Sequence, residues 1–218
     1  MLKINTIYHG NCISLMQKID DKSIDMTLTD IPYDVINRKS NGLRNLDKGN
    51  ADILNISLEA IVKNLIRVTK GSIYIFCSTE QVSEIREIMV ENKLSTRLII
   101  WNKTNPSPMN GKHIWLSSVE CCVYGKFPKA TFNEHCKGSV LNFPNGKGKI
   151  HPTEKPLALF EYLIKASSKE GDLILDPFAG SFTTAIASEN LRRNWICIEK
   201  ESNYCEIGRN RINENRGK

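Results

Sequence analysis

Asp30-Ile31-Pro32-Tyr33 places a carboxylate, a backbone carbonyl ahead of a stiff proline, and an aromatic ring within four residues. That set suits an exocyclic amino group on a nucleobase. Such a nitrogen is a poor nucleophile because its lone pair is delocalised into the ring. Two acceptors holding its N–H bonds pull it toward tetrahedral geometry, while an aromatic face clamps the flipped base. Asp30 and the Ile31 carbonyl are the candidate acceptors, Tyr33 is the face, and Pro32 fixes the local φ, which serves positioning more than proton chemistry. A second stretch, Asp176-Pro177-Phe178-Ala179-Gly180-Ser181, reads as a glycine turn between a strand and a helix, the kind of turn that receives a nucleotide-like cofactor. Glu199 follows Gly180 by about twenty residues, the spacing of an acidic residue that binds ribose hydroxyls.

Both stretches close strand-like runs. Ile24-Asp25-Met26-Thr27-Leu28-Thr29 alternates as a half-buried strand does, so Asp30 stands at its C-terminal end. Asp172-Leu173-Ile174-Leu175 is nearly all apolar, ends at Asp176, and leads into a helix from Thr183 to Glu189. In an open parallel sheet, ligands gather beyond the carboxyl ends of strands where strand order reverses, and two acidic strand ends there form one site. The intervening pattern predicts a helix capped by Ser57 and stopping near Gly71, and a strand over 72–77. A helix near 81–91 capped by Ser78 or Thr79 comes next, then a strand over 96–101. A strand-like run covers 118–124, Pro156 opens a helix to about Ser168, a last strand spans 194–199, and a helix over 202–211 closes the chain. The alternation of strand and helix predicts an α/β fold, a mostly parallel open sheet with helices on both faces. Residues 34–55 read as a mobile polar loop. Residues 125–150, with five lysines, read as a small insertion outside the core.

The length of 218 residues fits one catalytic domain over 1–218. A composition of 40% hydrophobic and 25% charged residues, without a long apolar stretch, predicts a soluble protein and no membrane span. The first residues carry no secretory pattern, so a cytoplasmic location is expected. Seven cysteines, with Cys121 next to Cys122 and no Cys-x-x-Cys pair, point to buried free thiols rather than disulfides or a metal. The net charge of +6 is compatible with a polyanionic partner, yet is equally a common aid to solubility.

These motifs resemble those of the DNA amino-methyltransferases that use S-adenosylmethionine. Asp30-Ile31-Pro32-Tyr33 is similar to their Asp-Pro-Pro-Tyr catalytic motif, and Asp176 to Ser181 resembles their cofactor loop. The catalytic motif precedes the cofactor motif, as in the permuted β class, and His151-Pro152-Thr153-Glu154-Lys155-Pro156 resembles that class's His-Pro-x-x-Lys-Pro segment. The resemblance spans nearly the whole chain and implies a Rossmann-like methyltransferase fold. It implies that Asp30, Ile31, Pro32 and Tyr33 form the amino-group site. Asp176, Phe178, Gly180 and Ser181 would line the methionine end of the cofactor, near Asp30, with Glu199 on the ribose. His151 and Lys155 would face the cofactor's polar groups, and Asn11 and Cys12 would lie near its adenine.

Three positions depart from the family pattern. Ile31 replaces the first proline, which loosens the turn; Phe182 stands where a second glycine is common; and Asn11 stands where an aspartate is usual. Members with Asp at the first catalytic position mostly methylate adenine N6 and those with Ser mostly cytosine N4, so Asp30 implies adenine, with cytosine N4 as the alternative. The implied activity is site-specific DNA methylation of the restriction–modification kind. The partner is double-stranded DNA, met by Arg38, Lys39 and Arg44 of the polar loop and by Lys137, Lys147 and Lys149 of the insertion. An insertion of ~25 residues is small against interfaces on the order of 1,000 Å², which predicts a homodimer. Rival readings are an amide or RNA amino-methyltransferase and a catalytically silent DNA-binding relative.

Overall fold

The computed structural model describes residues 2–33, 56–108, 111–146 and 155–217. Eight strands form one sheet: β1 (Thr6–His9), β2 (Ile24–Asp30), β3 (Thr69–Cys77), β4 (Ser95–Lys103), β5 (Val119–Lys126), β6 (Val140–Phe143), β7 (Leu173–Asp176) and β8 (Asn194–Glu199). Their order across the sheet is β1-β8-β7-β2-β3-β5-β4-β6. Every adjacent pair is parallel except those made by β5, which runs against both β3 and β4. Helices α1 (Cys12–Met16), α2 (Leu58–Val68) and α3 (Val82–Glu91) cover one face, and α4 (Leu157–Ser167), α5 (Thr183–Asn190) and α6 (Ser202–Arg216) the other. None of the described helices is long and apolar enough to cross a membrane.

The expected α/β architecture is present, and strand order reverses between β7 and β2. From β7 the chain turns through α5 to β8 on one side; from β2 it passes toward α2 and β3 on the other. Asp30 and Asp176 therefore end neighbouring parallel strands, registered by Met26 beside Ile174 and Thr27 beside Leu175.

Several local expectations are corrected. Ser57 does cap α2, accepting the Ala60 N–H at 3.1 Å, but the helix does not stop at a glycine. The chain extends directly at Thr69, and Gly71 lies inside β3. A Cβ at Gly71 would stand 1.9 Å from the Asp25 carbonyl oxygen, so the glycine permits close strand approach beside the irregularity in β2. Neither Ser78 nor Thr79 caps α3. Gln81 occupies that position, and its Oε1 accepts the Ser78 N–H at 3.0 Å. The run after β4 does not extend a parallel β-α-β series, because β5 inserts between β3 and β4 in the opposite direction.

Residues 125–146 are not a free insertion. Within them β6 pairs with β4, and Asn133 seals the end of α4: its side-chain amide donates to the carbonyls of Lys165 and Ser168 at 2.7 and 2.9 Å. Two short elements, β1 and α1, add to the elements read from sequence. Asn11 caps α1 by accepting the Ser14 N–H at 3.1 Å, a task an aspartate would also perform.

Candidate active site

Asp30 lies at the mouth of β2, where hydrogen bonds fix the four residues 30–33. The Ile31 N–H donates to the Phe76 carbonyl at 3.1 Å, a bond that proline in its place could not make. With the Ile31 side chain only 2% exposed, isoleucine anchors the turn rather than loosening it. The Gln81 amide donates to the Pro32 carbonyl at 3.2 Å, tying the start of α3 to the turn. The Tyr33 hydroxyl donates to Asp30 Oδ1 at 2.9 Å. Burial, reinforced by the charges of Asp30 and Glu120, pushes the Tyr33 phenol well above its ordinary range, so it stays a neutral donor.

Lys155 completes this cluster. Its Nζ donates to Asp30 Oδ2 at 2.5 Å and lies 3.1 Å from Glu120 Oε2. Glu120, at the start of β5, also pairs with Lys103 at the end of β4, at 2.8 Å. Burial works against the Lys155 ammonium, but Asp30 and Glu120 outweigh it and hold the lysine charged. Burial raises the Asp30 carboxyl above the usual carboxylate range, with Lys155 opposing the shift. For Glu120, burial is outweighed by the two lysines, and its carboxyl lies below that range. The resemblance points Lys155 toward the cofactor, and no motif in the sequence singles out Glu120, Lys103 or Gln81. The available signal was positional: Lys103 and Glu120 flank one loop at the mouths of two strands.

The second half of the site is held by backbone donors. Glu199 ends β8, where its Oε2 accepts the Gly180 N–H at 2.8 Å and its Oε1 the Glu201 N–H at 2.9 Å. An ionised carboxylate offers about four acceptor positions, so Glu199 retains capacity for hydroxyl donors. A Cβ built on Gly180 would meet nothing within 4 Å, which leaves the turn open on that side. A nucleoside carrying hydroxyls fits this pair of features. Asp176 is 3% exposed, and its oxygens take the hydroxyls of Thr29 at 2.8 Å and Thr184 at 2.5 Å and the Phe178 N–H at 3.1 Å. Burial still lifts its carboxyl to about 6. Asp176 thus braces β7 against β2 and α5 from beneath the loop.

Phe178 is half-buried above that brace, and Ser181 is buried with its hydroxyl 3.1 Å from Thr183 Oγ1. Cys12 is buried beside Glu199, and desolvation pushes its thiol up to about 11, making it a neutral wall. Phe182 takes the left-handed conformation, φ +61°, that a glycine would adopt readily, and fills the space over Gly208. Of the expected DNA-contacting residues, Lys137 is exposed beyond β5. Arg38, Lys39, Arg44, Lys147 and Lys149 lie outside the described residues, as do His151 and the whole loop 34–55.

Comparison with known proteins adds to this geometry. A family model described as DNA methylase matches residues 112–210. The type II methyltransferase M2.MboI of Moraxella bovis is 32% identical over 240 residues, taking in 95% of this chain and 87% of that protein. The DNA adenine methyltransferase YhdJ of Escherichia coli (strain K12) is 29% identical, covering 95% of this chain and 82% of YhdJ. Among solved structures, the M1.HpyAVI–SAM complex superposes with a TM-score of 0.76 at 26% identity, covering 95% of this chain and 98% of that one.

Proposed function

Because the chain belongs to the family of DNA methylases, we propose that it moves a methyl group from S-adenosylmethionine to N6 of a flipped adenine in double-stranded DNA. One observation carries this reading: the Thr29 hydroxyl bonds Asp176 while the next residue is Asp30, so the amino-group acceptor and the cofactor loop are locked side by side at the switch point. When bound, S-adenosylmethionine supplies an electrophilic methyl on a sulfonium. Asp30 and the Ile31 carbonyl accept the two N–H bonds of the target amino group, and Tyr33 stacks on the base. The Asp30 carboxylate offsets the positive charge that grows on the nitrogen and is the first acceptor for the proton it sheds, a task its raised pKa suits. Glu199 receives the ribose hydroxyls, with Asn11 and Cys12 near the adenine of the cofactor. Phe178, Gly180 and Ser181 line its methionine end.

The reading extends to one catalytic domain working in the cytoplasm, with loop 34–55 and segment 125–150 meeting DNA. A homodimer belongs to it as well. Leu98, Val119 and Val140, on β4, β5 and β6, are 41%, 48% and 57% exposed and offer apolar surface near one edge of the sheet. A monomer mass in sedimentation with DNA and cofactor present would sink the dimer.

The test is incubation with mixed-sequence duplex DNA and S-adenosylmethionine, digestion to nucleosides and mass spectrometry, with Asp30→Ala as control. The expected product is N6-methyladenine that disappears in the variant. N4-methylcytosine would overturn the base assignment; cofactor binding without any methylated base would overturn catalysis on DNA.

A further inference from the structure

Trp115 is 95% exposed, whereas Trp101 and Trp195, the other two tryptophans, are each 2% exposed. An indole fully in water is unusual, since tryptophan is among the most buried side chains on average. Its setting gives it a task. Because β5 runs against both β3 and β4, β4 runs in the same direction as β2, and its last residue, Lys103, stands at the sheet edge where Asp30 and Asp176 end. The loop 104–118 leaves from that edge. Its neck is closed by the Lys103 N–H on the Ser118 carbonyl at 2.7 Å, and Lys103 reaches Lys155 and Asp30 through Glu120. The Gly111 N–H donates to the Pro108 carbonyl at 3.0 Å and the Ser118 N–H to the Leu116 carbonyl at 2.8 Å. Trp115 precedes Glu120 by five positions, at most roughly 17 Å of chain.

We propose that Trp115 is a stacking residue for DNA, laying its ring against the bases left exposed in the duplex when the target base turns out toward Asp30. This rests on the reading of the site as a DNA methylase. A base that enters the site leaves two neighbours without a stacking partner just outside the same edge, and an aromatic ring replaces that contact whatever the neighbouring bases are. Lys112, three residues before Trp115, is exposed and carries the charge that suits a flanking phosphate. The exposed Ile114 widens the apolar tip without making it a broad face.

The experiment uses the full chain, S-adenosylmethionine, and a duplex oligonucleotide carrying a site that the wild-type protein methylates. As Trp115 is the exposed one of three indoles, its fluorescence reports directly on stacking. The expected result is a fluorescence change on binding the oligonucleotide and a rise of roughly ten- to hundredfold in Kd and KM for DNA in Trp115→Ala. Cofactor affinity and melting temperature should stay those of wild type, and Trp115→Phe should restore most of the loss. Equal DNA Kd and KM in wild type and Trp115→Ala, with methylation proceeding, overturns the proposal alone. So does a variant whose defect is the loss of a dimer in sedimentation. A wild-type protein that methylates no duplex overturns the parent reading and this one with it.

Discussion

The Lys155 ammonium stands 2.5 Å from Asp30 Oδ2 and is shared with Glu120, 3.1 Å away. A cation thus occupies the carboxylate proposed to receive the target amino group, and a second carboxylate lies beside it. A small displacement toward Glu120 would free Asp30 and remove a positive charge from the neighbourhood of a nitrogen that becomes positive during methylation. Glu120→Gln removes the second anion and leaves Lys155 on Asp30. Single-turnover methylation at saturating cofactor should fall roughly ten- to hundredfold, the worth of one hydrogen bond to a charged group, with cofactor affinity unchanged. A wild-type rate would show that Lys155 yields without help.

Gln81 is 4% exposed and spans from the Ser78 N–H to the Pro32 carbonyl. Gln81→Leu has nearly the same shape but leaves both backbone groups without that partner, a cost of about 1–3 kcal/mol each where water cannot reach them. Stability should drop in urea titration, and kcat should drop further than cofactor affinity, because the turn at residues 30–33 loses its tie to the start of α3. Loss of cofactor affinity with kcat intact would contradict this placement.

The carboxyl of Asp176 has a folded pKa of about 6, raised by burial, against about 3.9 when unfolded. The folded protein therefore binds this proton more tightly. The associated stability is present below about pH 4 and is lost as pH rises through about 6, on the order of 3 kcal/mol in all. Asp176→Asn cannot titrate, so the stability of wild type relative to the variant should fall by about that amount between pH 4 and pH 7. Urea titrations at the two pH values measure it; identical pH dependences would rule out Asp176 as the source.

Phe182 and Gly208 form a matched pair. A Cβ on Gly208 would lie 2.2 Å from the Phe182 ring, so Gly208→Ala should cost about 1–3 kcal/mol by overpacking. Phe182→Gly relieves the left-handed backbone, worth about 1–2 kcal/mol, but opens a buried cavity worth about 3–5 kcal/mol, for a net loss. Chemical unfolding of both variants checks this; a more stable Phe182→Gly would show the strain to be the larger effect.

Which acidic groups stand at the strand ends was legible from residue order alone. Alternation up to Thr29, the apolar run before Asp176 and the acidic end of the last strand are local patterns, and they locate Asp30, Asp176 and Glu199 without reference to the rest of the chain. Strand direction carries no such local mark. The reversal of β5, the pairing of β6 within a lysine-rich segment and the short edge strand β1 follow from which neighbours offered free backbone groups, and no short window of sequence contains that information. The charge cluster is likewise a product of the tertiary structure. Lys155 meets Asp30 across 125 residues, and Glu120 joins them only because β5 runs backward and brings its first residues to the edge where Asp30 ends β2. Sequence determined which groups stand at the mouths of the strands. Folding decided which of them share a buried charge, because partners in a low-dielectric cluster are chosen by distance in space, which separation along the chain does not encode.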